Sequence, residues 1–149
     1  MKASFIRGIL LSVMIAGFVT GCAPAATAEI TLDAAWGRPS LDMPTAGGMY
    51  LMINNKGTAA DKLLSGSSPA CGSIEVHEMV MKSDGTMGMN LVEKPLEIAA
   101  GGQIELKPGG LHIMCIMKND KFAPGNKIDM TLKFEKAGEK TVSVEIREK

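Results

Sequence analysis

Apolar and polar positions alternate with a period of two along most of the chain after residue 29. In residues 30–36 the even positions, from Ile30 to Trp36, are apolar, which predicts a half-buried strand. Further strands are predicted at residues 49–53, 61–64, 74–79, 87–92, 104–106, 111–117, 128–134 and 141–146. No segment keeps a helical period, and turn residues separate the runs. Eight to ten short strands predict a single all-β domain, a sandwich or Greek-key barrel.

The segment before the first strand predicts an export signal at residues 1–21. Lys2 and Arg7 precede an uncharged apolar stretch from Gly8 to Val19, shorter than the roughly 20 residues that span a membrane. The mature domain is therefore expected outside the cytoplasm, in the periplasm.

Two cleavage patterns follow this stretch, and the sequence leaves both open. Residues 19–22 (VTGC) resemble a lipobox, in which Cys22 carries a lipid anchor to the membrane. Residues 26–28 (ATA) instead fit cleavage after Ala28. The mature domain is accordingly assigned to residues 29–149.

Composition argues against nucleic-acid binding and leaves open whether the chain forms a disulfide. Formal net charge is +0 and aromatic residues make up 4%, so there is no basic excess or stacking surface for nucleic acid. Cys71 and Cys115 form an even pair in an oxidising compartment. They are either a disulfide or two buried thiols, since their spacing alone does not reveal geometry.

Candidate chemistry lies in the pattern His-x-Met. Both histidines of the chain, His77 and His112, have a methionine two positions later, and residues 87–89 repeat the spacing with methionine at both ends. The methionines concerned are Met79, Met87, Met89 and Met114. Residues i and i+2 of a strand share a face, so each pair presents two donor atoms on one side.

The donor types select the metal. Imidazole and thioether are both neutral, and the soft thioether selects Cu(I), whereas zinc favours thiolate or carboxylate. Neutral ligands leave the site at net +1 with Cu(I) and +2 with Cu(II). This favours the reduced ion and indicates transport rather than redox turnover.

Over nearly the whole mature region, the chain resembles the periplasmic copper chaperone family called PCuAC. The matching segments are residues 33–38 (DAAWGR), 46–50 (AGGMY), 76–79 (VHEM), 84–89 (DGTMGM), 108–114 (PGGLHIM) and 134–138 (FEKAG). The family signature is a His, a Met about a dozen residues later, and His-x-Met some twenty residues beyond. The separation of Met89 from His112 is one residue longer than the common spacing.

The resemblance implies a cupredoxin-like Greek-key fold and four Cu(I) ligands, which are His77, Met89, His112 and Met114. Met79 and Met87 are candidate auxiliary donors. The family implies delivery of copper to the CuA centre of cytochrome c oxidase, directly or through a thiol-containing assembly protein. The chain ends without the His/Met-rich tail of some relatives, so one principal site in a monomer is expected.

Other functions compete with this interpretation. A blue-copper carrier needs a Cys ligand, but Cys115 faces away from His112 and Met114 in an extended strand. An enzyme is not expected, because no nucleophile–base set is evident. A β-sandwich lipoprotein whose methionines form a protein-contact patch is a further alternative. General periplasmic copper tolerance is another.

Overall fold

The computed structural model describes residues 25–148, and every regular element within them is a strand. The strands are β1 (Ile30–Pro39), β2 (Ala46–Asn55), β3 (Asp61–Ser67), β4 (Ser73–Met81), β5 (Met87–Leu91), β6 (Leu96–Ile98), β7 (Gln103–Leu106), β8 (Leu111–Ile116), β9 (Lys127–Phe134) and β10 (Gly138–Ile146). The all-β prediction is thus confirmed. The predicted signal at residues 1–21 and Cys22 lie outside the described residues.

All ten strands belong to one sheet that curls into a half-barrel. Their order is β5-β4-β8-β2-β1-β10-β9-β3-β6, and β7 pairs with β2. β1 and β10 run parallel, and the other pairings among residues 25–148 are antiparallel. The inner face buries a continuous apolar core that includes Met49, Ile53, Ile113, Met130 and Val144. Each such side chain contributes about 1.5–3 kcal/mol when fully buried.

Two departures from the predicted strands, at β3 and β6, arise where a segment pairs with a distant strand. Residues 65–72 were expected to form a loop, but β3 continues to Ser67 by pairing with β9. β6 was not predicted, because a three-residue strand next to Pro95 carries almost no periodic signal. In both places pairing with a distant strand, rather than local pattern, makes the segment extended.

A bulge in β1 overturns the strict alternation predicted for residues 30–36. The β1–β2 register shifts between Asp33 and Trp36, and Ala34 has φ of +54°. One extra residue reverses the faces beyond it. Trp36 therefore lies on the outer face, where it pairs with Tyr50. The alternation predicted instead that Trp36 shares the core face with Leu32.

A disulfide joins the loop after β3 to the C-terminal part of β8. Cys71 and Cys115 are bonded, with their Cα atoms 5.3 Å apart. Cys115 is fully buried in the core. No helix in residues 25–148 is long and apolar enough to cross a membrane.

Candidate metal centre

The outer face of three neighbouring strands brings both histidines together. β4 lies between β5 and β8, and His77 pairs directly with His112 across β4 and β8. On the other side of β4, Met79 pairs with Met89 of β5. Directly paired residues point to the same face, so imidazoles and thioethers from distant segments share one surface.

His112 presents one free ring nitrogen. Its Nδ1 lies 2.9 Å from the carbonyl oxygen of Gly110, and because a carbonyl can only accept, Nδ1–H is the donor. In the neutral ring the lone pair then lies on Nε2. The side chain is only 5% exposed. This backbone contact orients the ring and fixes its tautomer, as is common for metal-binding histidines.

His77 presents the opposite nitrogen. Its Nε2 lies 2.8 Å from a carboxylate oxygen of Glu75, so Nε2–H donates and Nδ1 keeps the lone pair of the neutral ring. Nδ1 is buried and has no hydrogen-bond partner among the described residues. Leaving a buried polar atom unpaired costs about 1–3 kcal/mol. The ring centroid is 6.1 Å from that of His112, so two free imidazole nitrogens lie in one neighbourhood.

Met114 lies between β4 and β2 on the same face. It pairs with Glu75 on one side and Gly48 on the other, and its side chain is only 3% exposed. A Cβ on Gly48 would stand 2.9 Å from Cζ of Tyr50, so glycine is needed here for the tyrosine ring to lie over the strand.

An aromatic pair forms the β1–β2 side of this surface. The ring of Tyr50 packs at a tilt of 42° against Trp36, with a centroid distance of 4.5 Å, and its centroid lies 6.3 Å from that of His112. The bulge in β1 is what turns Trp36 to this face. Neither aromatic residue was among the site residues predicted from the sequence, and the predicted alternation assigned Trp36 to the core face.

A pocket of about 390 Å³ lies between this face and the β1–β2 loop. Five methionines and one histidine line it: Met43, Met79, Met87, Met89, Met114 and His112. Of the four predicted ligands, three line the pocket, and His77 lies next to His112 without lining it. Met79 and Met87, the candidate auxiliary donors, also line it. Within residues 25–148 no three His, Cys, Asp or Glu side chains form a metal-binding group.

Met43 is the one methionine among the pocket-lining residues that the sequence did not predict for the site. It lies in the β1–β2 loop, outside every His-x-Met pattern, and only the tertiary fold carries this loop over β5 and β8. Its one sequence signal is that it is another methionine in a methionine-rich chain.

Comparison with known proteins matches residues 30–146 to the family model described as "Putative lipoprotein LpqE-like". A relative from Leifsonia xyli subsp. xyli, "Putative lipoprotein Lxx21020", is 27% identical over 158 residues, which cover 99% of this chain and 90% of the relative.

Two solved structures have the same fold. The copper-bound PCuAC domain from PmoF2 aligns with a TM-score of 0.66 and 23% identity, covering 84% of this chain and 97% of that domain. The solution structure of CuI-DR1885 from Deinococcus radiodurans aligns with a TM-score of 0.55 and 24% identity, covering 87% and 82%. The predicted cupredoxin-like β fold and the resemblance to PCuAC domains are confirmed.

Proposed function

Because the chain belongs to the LpqE-like family and has the fold of PCuAC domains, we propose that it is an extracytoplasmic copper chaperone. It holds one Cu(I) ion as cargo through His77, His112, Met89 and Met114. Two solved neighbours of the same fold are described as copper-bound and as a CuI form, which supports copper as the metal.

The observation that carries the proposal is the facing histidine pair. Nε2 of His112 and Nδ1 of His77 are the nitrogens left without a proton or partner by their contacts to Gly110 and Glu75. A bound cation supplies what the buried Nδ1 atom lacks. The thioethers that share this face make the donor set soft and neutral, which favours Cu(I) over Zn²⁺ or Ca²⁺.

The uneven exposure of the ligands fits reversible delivery. Met114 and His112 are buried, whereas Met89 is 37% exposed at the sheet edge. A partner's donor atom can approach from the Met89 side while the buried ligands still hold the ion. The protein acts as a metal carrier in this scheme and has no catalytic role.

The acceptor that fits this cargo is a respiratory oxidase under assembly. We propose that copper passes in the periplasm to the CuA subunit of cytochrome c oxidase, or to a thiol-containing assembly protein. A lipid anchor at Cys22 would hold the monomeric domain near that membrane target. The alternative within the same chemistry is general copper tolerance, in which copper is held without delivery to the oxidase.

Anaerobic Cu(I) titration of the purified protein against a competing chromophoric chelator tests the proposal. We expect one tight equivalent in the wild type and its loss in the His77→Ala/His112→Ala double variant. Met117→Leu, an exposed methionine outside the pocket, is the matched control and should bind like the wild type. If the wild type binds no Cu(I), or if the double variant binds it equally well, the proposed chaperone function is contradicted. The methionines would then be interpreted as a protein-contact patch.

A further inference from the structure

The pocket wall contains more thioethers than the four-ligand site uses. Met43, Met79 and Met87 line the same cavity as Met89 and Met114, and none of them belongs to the proposed ligand set. We refer to Met43, Met79 and Met87 as the outer methionines.

The outer methionines reach the pocket from two sides. Met79 and Met87 come from the β4–β5 hairpin, where Met79 pairs with Met89 and Met87 pairs with Met81. Met43 comes from the β1–β2 loop on the opposite wall. Its backbone is held in a turn, since its N–H donates to Ser40 Oγ at 3.1 Å and its carbonyl accepts from Ala46 N–H at 2.9 Å. The loop thus presents Met43 to the pocket from a defined backbone position.

Exposure separates the outer methionines from the buried ligands. Met43 is 37% and Met87 49% exposed, and Met79 is partly exposed, whereas Met114 is almost fully buried. Core packing does not account for Met43 and Met87, whose long apolar side chains are more than a third exposed. Their flexible, polarisable thioethers are free to rearrange around a ligand. The charged residues of the same wall, Arg38 and Asp42, have opposite signs, so the wall adds no net charge against a cation.

We infer that the outer methionines form a second Cu(I) position at the mouth of the pocket, weaker than the His/Met site. This inference rests on the proposed function, because it extends the same cargo to a second position. Three thioethers form a soft, neutral donor set that selects Cu(I). Without an imidazole in the set, the ion is held less tightly and exchanges readily. Copper entering or leaving the buried site passes through this position.

The test is a Cu(I) titration of the protein labelled with 13C at its methionine methyl groups, followed by NMR. The first equivalent should shift the signals of Met89 and Met114, and the second should shift those of the outer methionines. The Met43→Leu/Met79→Leu/Met87→Leu triple variant should lose the second equivalent and keep the first. A Met81→Leu/Met117→Leu double variant, at two exposed methionines outside the pocket, should keep both.

The two proposals fail in different ways. If no equivalent depends on His77 and His112, the chaperone itself is wrong. If the first equivalent binds but the outer methyl signals stay unchanged through the second, only the second position is overturned. The same conclusion follows if the triple variant still binds two equivalents. If the triple variant does not fold, the single Met43→Leu variant in the exposed loop replaces it. Weaker binding of the second equivalent by this variant supports the second position, and unchanged binding overturns it.

Discussion

At the scale of single residues, the site depends on which imidazole nitrogen keeps its lone pair. Glu75 and the Gly110 carbonyl each take one N–H, and they leave opposite nitrogens free on His77 and His112. Such partners of metal ligands orient the ring and raise its basicity. Glu75 is therefore a positioning residue in the proposed site.

The Glu75→Ala variant should lower Cu(I) affinity by about 10–100-fold, the usual cost of losing such a partner. Without the carboxylate, the His77 ring loses both its fixed tautomer and its orientation. The measurement is a competitive chelator titration, with Glu78→Ala as the matched control. Glu78 is exposed and, by strand alternation, points to the other face of β4. Equal affinity in the wild type and Glu75→Ala would remove Glu75 from the site.

Asp61 is a buried carboxylate with a structural role far from the pocket. Burial alone raises its pKa, but backbone N–H donors of Lys136, Ala137 and Lys62, each at 2.8 Å, outweigh this and lower the pKa below its ordinary value. The folded state therefore stabilises the ionised form. This contribution is present above the unfolded-state pKa of about 3.9 and is lost as pH falls through the lower folded-state pKa.

The free energy of unfolding of the Asp61→Asn variant should vary less with pH in the acidic range than that of the wild type. The variant lacks the titrating group, so its free energy of unfolding should change less as pH falls through about 4 and below. Urea unfolding at a series of pH values measures this, with the exposed Asp129→Asn as the control. If the free energy of unfolding falls equally with pH in the wild type and in Asp61→Asn, the stabilising role of ionised Asp61 would be contradicted.

At the scale of elements, the bulge in β1 decides which side chains reach the outer face. Ala34 takes a left-handed backbone conformation that L-residues with bulky side chains avoid. The extra residue there turns Trp36 toward Tyr50, and Tyr50 extends toward His112. The aromatic side of the candidate site thus depends on one irregular residue in β1.

The Ala34→Val variant should destabilise the domain by about 1–2 kcal/mol, because a β-branched side chain adds to the strain of the left-handed conformation. Ala34→Gly is the matched control and should remain near the wild-type stability, since glycine adopts this conformation without a steric cost. Thermal unfolding, followed by the fluorescence of the single tryptophan, compares the three proteins. If the Ala34→Val variant proved as stable as the Ala34→Gly variant, strain at the bulge would be refuted.

At the scale of the whole molecule, the curled sheet separates an apolar inner face from the outer face that carries the candidate metal site. β8 contributes to both, since Ile113 and Cys115 enter the core while His112 and Met114 face the pocket. The disulfide ties this central strand to the loop after β3. Because Cys115 lies in the core next to Met114, the disulfide is directly behind the candidate site. The covalent bond also constrains the unfolded chain.

Reduction of the Cys71–Cys115 bond should lower the free energy of unfolding by about 2–4 kcal/mol. The bond joins residues 44 positions apart in the sequence, and opening it increases the entropy of the unfolded chain. Urea unfolding with and without a thiol reductant measures the change, and alkylation mass spectrometry verifies the reduced state. Unchanged stability after verified reduction would show that the bond does not support the fold.

Local periodicity was enough to predict the strand faces around the ligands. His77 shares a face with Met79, and His112 with Met114, because side chains two apart in a strand point the same way. Both strands also have enough alternating residues to be recognised. The same periodicity predicted that Cys115 faces away from the candidate ligands His112 and Met114, and the structure places it in the core.

The arrangement of the candidate site depends on contacts between distant segments, which a local sequence pattern does not predict. The direct pairing of His77 with His112, the position of Met43 across the pocket and the reversal at Ala34 all depend on such contacts. Register and loop placement follow from burial of the common core, which no short window of sequence encodes. The order of residues was sufficient to predict most of the strands and the soft donor types, but not β6 or the end of β3. Which donors meet was set by the fold, because strand pairing brings residues from distant segments of the chain into contact.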